Sequence, residues 1–83
     1  MTSIPEVIAA LENIIEDPTV PKNVRLKAED IIKSLNEDNG DLRIKIDKSL
    51  ALLEKISDDP NIPQFVRMQL FNISSLLETL EEA

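Results

Sequence analysis

A five-residue motif occurs twice in this chain, and it constrains the fold more than any other feature. Residues 17–21 read Asp-Pro-Thr-Val-Pro and residues 59–63 read Asp-Pro-Asn-Ile-Pro, so the copies lie 42 positions apart. Proline disfavours the helical conformation for the residue before it, and a second proline suits the first turn of a new helix. Each copy stands between two runs of regularly spaced apolar residues. The motif therefore predicts two elbows, each joining a pair of helices.

The similarity between the two halves extends beyond the elbows. A shift of 42 residues superimposes identical residues at nine further pairs of positions: Ile4 and Ile46, Ala9 and Ala51, Leu11 and Leu53, Glu12 and Glu54, Ile14 and Ile56, Val24 and Val66, Arg25 and Arg67, Ile31 and Ile73, and Leu35 and Leu77. Self-similarity at a fixed period is typical of a repeated supersecondary unit. We expect two homologous helical hairpins.

Apolar periodicity predicts the bounds of four helices. We expect them at about residues 4–16, 21–36, 42–57 and 63–81. Ser3 and Glu6 have the spacing of a capping box, and Asn39 or Asp41 is expected to cap the third helix. The expected apolar stripe of that third helix consists of Leu42, Ile46, Leu50, Leu53 and Ile56. Val20 and Ile62 are expected to pack under the elbows.

The chain has 83 residues, which is the size of one small domain. We expect a single helical domain over residues 1–83, with hairpin 1 at about 3–36, a polar linker at about 37–41 and hairpin 2 at about 42–82. Stacked repeats generally need at least about three copies to bury their faces. Two hairpins can instead close face to face, so we predict an all-α, four-helix up-and-down bundle.

Each elbow also resembles a HEAT repeat, in which an aspartate and an arginine connect the turns of adjacent repeats. The residues that carry the resemblance are Asp17, Pro18, Val24, Arg25 and Ala28, and then Asp59, Pro60, Val66, Arg67 and Leu70. The resemblance implies an open stack of hairpins, which remains the alternative to the closed bundle.

The whole chain resembles an archaeal family of unknown function, uncharacterised protein family 0147. The matching segments are residues 11–12, 16–21, 23–25, 36–41 and 53–61, and the paired proline elbows are the most distinctive of them. The resemblance implies an archaeal cytoplasmic protein with a compact helical-bundle fold. It implies no activity, cofactor or site residue.

Composition excludes several kinds of chemistry. The sequence has no cysteine and no histidine, which excludes disulfides, thiolate and imidazole catalysis, ordinary zinc sites and di-iron bundle sites. A net charge of −7 argues against binding to nucleic acid or to anionic membranes. We therefore expect a cytoplasmic protein that is not an enzyme, with no catalytic residues, no cofactor and no metal.

The acids and arginines of the elbows are the most specific polar signal in the sequence. The residues that we assign to the elbows are Asp17, Pro18, Pro21, Arg25, Asp59, Pro60, Pro63 and Arg67. In the structural interpretation, each arginine binds the elbow of its own hairpin and holds the turn. The alternative is a small-ligand or metal-ion binding protein that uses the elbow acids and arginines.

The second hairpin carries more apolar residues than the first. At positions 42 residues apart, Asn23 in the first hairpin corresponds to Phe65 in the second, Glu29 to Phe71, and Ser34 to Leu76. We predict a protein-interaction surface that consists of Phe65, Met68, Phe71 and Leu76. Two alternatives remain open: a homodimer that uses the same surface, and a monomer whose fourth helix is buried on two sides.

Overall fold

The computed structural model describes residues 3–37 and 40–82, with side chains described as far as residue 80. It contains four helices: α1 (Ile4–Glu16), α2 (Lys22–Asn36), α3 (Leu42–Ser57) and α4 (Gln64–Glu82). In the described part of the chain, none of these helices combines the length and the apolar character that a membrane crossing requires.

The helices form a closed four-helix bundle. α1 packs against α2 and α4, and α3 packs against the same two helices, so each helix has two neighbours around a square. The molecule measures 33 × 20 × 20 Å. The contact between α1 and α4 closes the two hairpins on each other, which confirms the predicted bundle and differs from an open stack. Both elbows lie at one end of the bundle.

Each helix contributes one buried stripe to a continuous core. Burial of apolar surface is the main stabilising term in a domain of this kind. The buried apolar residues are Val7, Leu11 and Ile14 of α1; Val24, Ala28, Ile31 and Leu35 of α2; Ile46, Leu53 and Ile56 of α3; and Val66, Leu70, Ile73 and Leu77 of α4. Val20 and Ile62 are also buried, each under its elbow, as predicted.

The stripe of α3 differs from the prediction at two positions. Leu42 is exposed, because it lies in the first turn of the helix, at the end of the bundle next to the central connection. Ser49 is fully buried instead, and its hydroxyl donates to the carbonyl of Lys45 at 2.8 Å. This local partner satisfies the hydroxyl, so the core tolerates a serine there.

The helix ends also correct some expectations. Ser3 precedes α1 but makes no side-chain capping bond, so the predicted capping box is wrong. Asp41 caps α3 by accepting a hydrogen bond from the Arg43 N–H at 2.9 Å, as predicted, whereas Asn39 lies outside the described residues. Pro21 is the N-cap residue of α2 rather than its first helical residue.

Candidate functional site

The first elbow is a tight turn held by the Asp17 side chain. Asp17 Oδ1 accepts hydrogen bonds from the Thr19 N–H at 2.9 Å and from the Thr19 hydroxyl at 2.6 Å. The Asp17 carbonyl accepts from the Val20 N–H at 3.2 Å, which closes a turn with Pro18 at its second position. The hydrogen bonds from Thr19, and then the nearby Arg25 charge, hold the pKa of Asp17 below its ordinary value.

The second elbow repeats the backbone hydrogen bonds of the first but differs in its side-chain bonds, since Asn61 donates only its backbone N–H to Asp59. Asp59 Oδ1 accepts from the Asn61 N–H at 2.9 Å, and the Asp59 carbonyl accepts from the Ile62 N–H at 3.4 Å. In addition, Arg67 Nη2 donates to the Asp59 carbonyl at 2.9 Å. Arg67 therefore connects the first turn of α4 to the elbow that precedes it.

The matched arginine of the first hairpin is placed differently. Arg25 is half-buried, and its Nε is buried without a hydrogen-bond partner among the described residues. Its charge acts on Asp17 from nearby. The structure describes no cluster of three acidic side chains that is arranged to hold a metal ion. The hydrogen bonds at both elbows close turns within the chain itself.

The predicted interaction residues divide into two groups. Phe65 is 43% exposed, Met68 is 68% exposed and Phe71 is 75% exposed. They follow one another at three-residue intervals on α4, so neighbouring members lie side by side on the helix surface. Leu76 is half-buried and packs against the core, so it does not belong with the exposed three. We call Phe65, Met68 and Phe71 the α4 row.

Two shallow grooves border the α4 row on the molecular surface. One, of about 680 Å³, is lined by Pro60, Ile62, Gln64, Arg67, Met68 and Phe71. The other, of about 650 Å³, lies between α3 and α4 and is lined by Leu50, Glu54, Ser57, Arg67, Phe71, Ser74 and Glu78. Phe71 and Arg67 line both grooves, so they form the ridge between them.

The part of α4 that carries the α4 row, residues 64–77, is nearly uncharged. Residues 64–77 contain one charged residue, Arg67, whereas the matched residues 22–35 of the first hairpin contain six. Surface helices normally place charged residues opposite their buried stripe. The cores of protein interfaces instead lack most charged residues and are enriched in aromatic residues, methionine and arginine. The exposed residues of α4 match that composition.

The structure also shows exposed apolar residues that the sequence interpretation did not assign to a surface. Leu26 is 51% exposed on α2, at the position that matches Met68. The 42-residue shift pairs these two residues and is the signal that would have found Leu26. Leu42 and Ile44 are exposed at the start of α3, at the end of the bundle away from the elbows.

Comparison with other proteins identifies the fold and the family. The sequence model of the uncharacterised protein family UPF0147 matches residues 1–80. A crystal structure of a UPF0147 protein from Thermoplasma acidophilum has a TM-score of 0.88 and 38% identity, covering 92% of this chain and 89% of that one. A protein of unknown function, MMP1188 from Methanococcus, has a TM-score of 0.86 and 36% identity, covering 92% of this chain and 86% of that one.

Comparison with curated proteins gives no match. Both crystal structures are of archaeal proteins, and they share the four-helix fold along nearly the whole chain. The family match and the level of identity agree with the resemblance carried by the proline elbows. The chain belongs to the uncharacterised protein family UPF0147.

Proposed function

We propose that this protein is a non-enzymatic, cytoplasmic interaction module that binds protein through the outer surface of α4. The single observation that carries the proposal is the α4 row, with Phe65, Met68 and Phe71 exposed on a helix that bears one charged residue over residues 64–77. Exposed large apolar side chains of this kind commonly mark interaction sites. No chemical step is required of such a module.

The surroundings of the row support this role. The two grooves give a partner concave surface on either side of Phe71. Arg67 stands between them and is exposed, and arginine is a frequent anchor residue in protein interfaces. In this proposal the elbow acids and arginines hold the turns, and the α4 row makes the contact with the partner.

The proposal is tested by comparing three forms of the tagged protein in affinity capture from native lysate. They are the unchanged chain, the double variant Met68→Gln with Phe71→Gln, and the matched control Leu26→Gln. A specific partner should be retained by the unchanged chain and by the control, and the double variant should lose it. Nuclease treatment of a parallel sample separates a protein partner from a nucleic-acid assembly.

Circular dichroism of the double variant checks that the change acts at the surface. Met68 and Phe71 are mostly exposed, so their replacement should leave the helical content and the melting temperature nearly unchanged. Loss of the fold would show that these side chains belong to the core and would overturn the proposal. Retention of every partner by a folded double variant would also overturn it.

A further inference from the structure

We propose that the partner of the α4 row is a second copy of this chain, bound antiparallel about a two-fold axis beside Met68. This inference rests on the interaction role proposed above and names its partner. It follows from three properties of α4: the even spacing of the row, the lack of charge around it, and the acidic end of the helix.

The spacing of the row makes it self-complementary in an antiparallel pair. Phe65 lies three residues before Met68 and Phe71 lies three residues after it, roughly 4.5 Å along the helix axis in each direction. A two-fold axis beside Met68 brings Met68 against its own copy and Phe65 against Phe71 of the second copy. A two-fold interface requires such a self-matching surface patch, and the aromatic pairs add contact energy beyond their buried area.

The charge distribution favours a copy of the chain at this surface. The chain carries a net charge of −7, so two copies repel each other when their charged surfaces approach. Residues 64–77 have only the positive charge of Arg67, so this segment adds no acidic side chain to the contact. The nearest acidic residues that share a groove with the row are Glu54 and Glu78. Residues 64–77 therefore combine exposed apolar side chains with little self-repulsion.

The acidic end of α4 selects the antiparallel arrangement. Glu78 lies ten residues after Met68, and Glu81 and Glu82 follow it in the sequence. A parallel pair would place the two acidic ends side by side. In an antiparallel pair the two Glu78 residues are separated by roughly 30 Å along the axis, well beyond the screening length of about 10 Å at 0.1 M salt.

The chain has no cysteine, so a single introduced cysteine can form a disulfide only with the same residue of a second copy and reports the distance between them. Met68→Cys should form a disulfide-linked dimer under mild oxidation, because a residue beside the axis meets its own copy at disulfide distance. Leu26→Cys, which is exposed at the matched position of α2, is the control and should cross-link at least tenfold more slowly. An equal mixture of Phe65→Cys and Phe71→Cys should cross-link faster than either variant alone.

Sedimentation of the unmodified chain gives the second readout. We expect a concentration-dependent shift from monomer to dimer, with the dissociation constant raised at least tenfold by Phe71→Gln and unchanged by Leu26→Gln. A monomer at every concentration up to millimolar would overturn the inference, as would equal cross-linking at positions 26 and 68. Faster cross-linking of Phe65→Cys or Phe71→Cys alone than of their mixture would contradict the antiparallel arrangement.

The two proposals fail in different ways. If the chain is monomeric but captures a protein that the Met68→Gln, Phe71→Gln variant loses, then the interaction surface stands and its partner is another protein. If the chain is monomeric and captures nothing that depends on the α4 row, then both proposals are wrong.

Discussion

At the scale of single residues, the first elbow depends on one carboxylate and one threonine. Asp17 Oδ1 accepts two hydrogen bonds from Thr19, and both stabilise the charged form of the carboxylate. The matched pair in the second elbow, Asp59 and Asn61, shares only the bond from the backbone N–H. The hydroxyl bond of Thr19 therefore distinguishes the first turn, and the bond from Arg67 distinguishes the second.

We predict that Thr19→Ala raises the pKa of Asp17 toward its ordinary value, because the variant removes the largest cause of the lowering and keeps the backbone bond. Carbon-detected NMR titration of the Asp17 carboxyl measures this shift directly. An unchanged pKa would contradict the assignment of the Thr19 hydroxyl as the main group that stabilises the charged carboxylate.

The same pair predicts how stability depends on pH. A lowered pKa in the folded state means that Asp17 stabilises the fold above its unfolded pKa, and that this stabilisation is lost as pH falls through the folded pKa. Asp17→Asn should therefore lose part of the decrease in stability that the unchanged chain shows as pH falls below about 4. Urea unfolding at several pH values measures how the free energy of unfolding depends on pH. Thr19→Ala should reduce this pH dependence in the same direction, but by less than Asp17→Asn.

At the scale of helices, α3 shows how a local hydrogen bond allows a polar residue in the core. Ser49 occupies the position that matches Val7, and its hydroxyl bonds within its own helix to Lys45. Such a bond to the preceding turn adds little to helix stability. Position 49 is buried because it lies on the same side of α3 as the buried residues Ile46 and Leu53, although serine is polar.

We predict that Ser49→Ala is stabilising by about 0.5 kcal/mol, since alanine has the higher helix propensity and no polar atom is left without a partner. The Lys45 carbonyl keeps its place in the hydrogen-bond ladder of the helix. Thermal and urea unfolding of the variant measure the change. A clear loss of stability would show that the hydroxyl has a partner beyond its own helix.

α4 has one side that is buried in the core and an opposite side that carries exposed apolar residues. Its buried stripe closes the bundle, and its outer side carries the α4 row with almost no charge. The apolar surplus was visible in the sequence as substitutions between matched positions. The sequence did not show that Leu76 packs against the core, because a residue at the edge of the buried stripe can face either the neighbouring helix or solvent.

At the scale of the whole molecule, the two similar hairpins share one hydrophobic core, so we expect them to fold as one cooperative unit. Each hairpin leaves half of the core exposed unless the other covers it, since α1 packs on α4 and α2 packs on α3. Isolated helices of about 12–15 residues are marginal in water. α1 has 13 residues and α2 has 15, so the first hairpin is not expected to hold its helices alone.

We therefore predict that a fragment of residues 3–37 is largely unfolded at 25 °C, with no cooperative melting transition by circular dichroism. Mixing it with a fragment of residues 40–82 should restore helicity. A first hairpin that melts cooperatively by itself would contradict the single core and would support an independent repeat unit.

The sequence by itself determined the four helices, the two elbows and the repeat that relates them. These features depend on local physics, namely the geometry of proline, the spacing of apolar residues and the preference of Asp and Gly for turns. Gly40, with a φ of +95°, follows the same rule in the central connection.

Only the tertiary structure decided which helices become neighbours and which apolar residues remain outside. The contact of α1 with α4, the exposure of Leu42, the burial of Ser49 and the separation of Leu76 from the α4 row all depend on the packing of residues that are distant in sequence. Periodicity within one helix cannot specify that packing, because the burial of a side chain depends on the surface of the neighbouring helix that covers it.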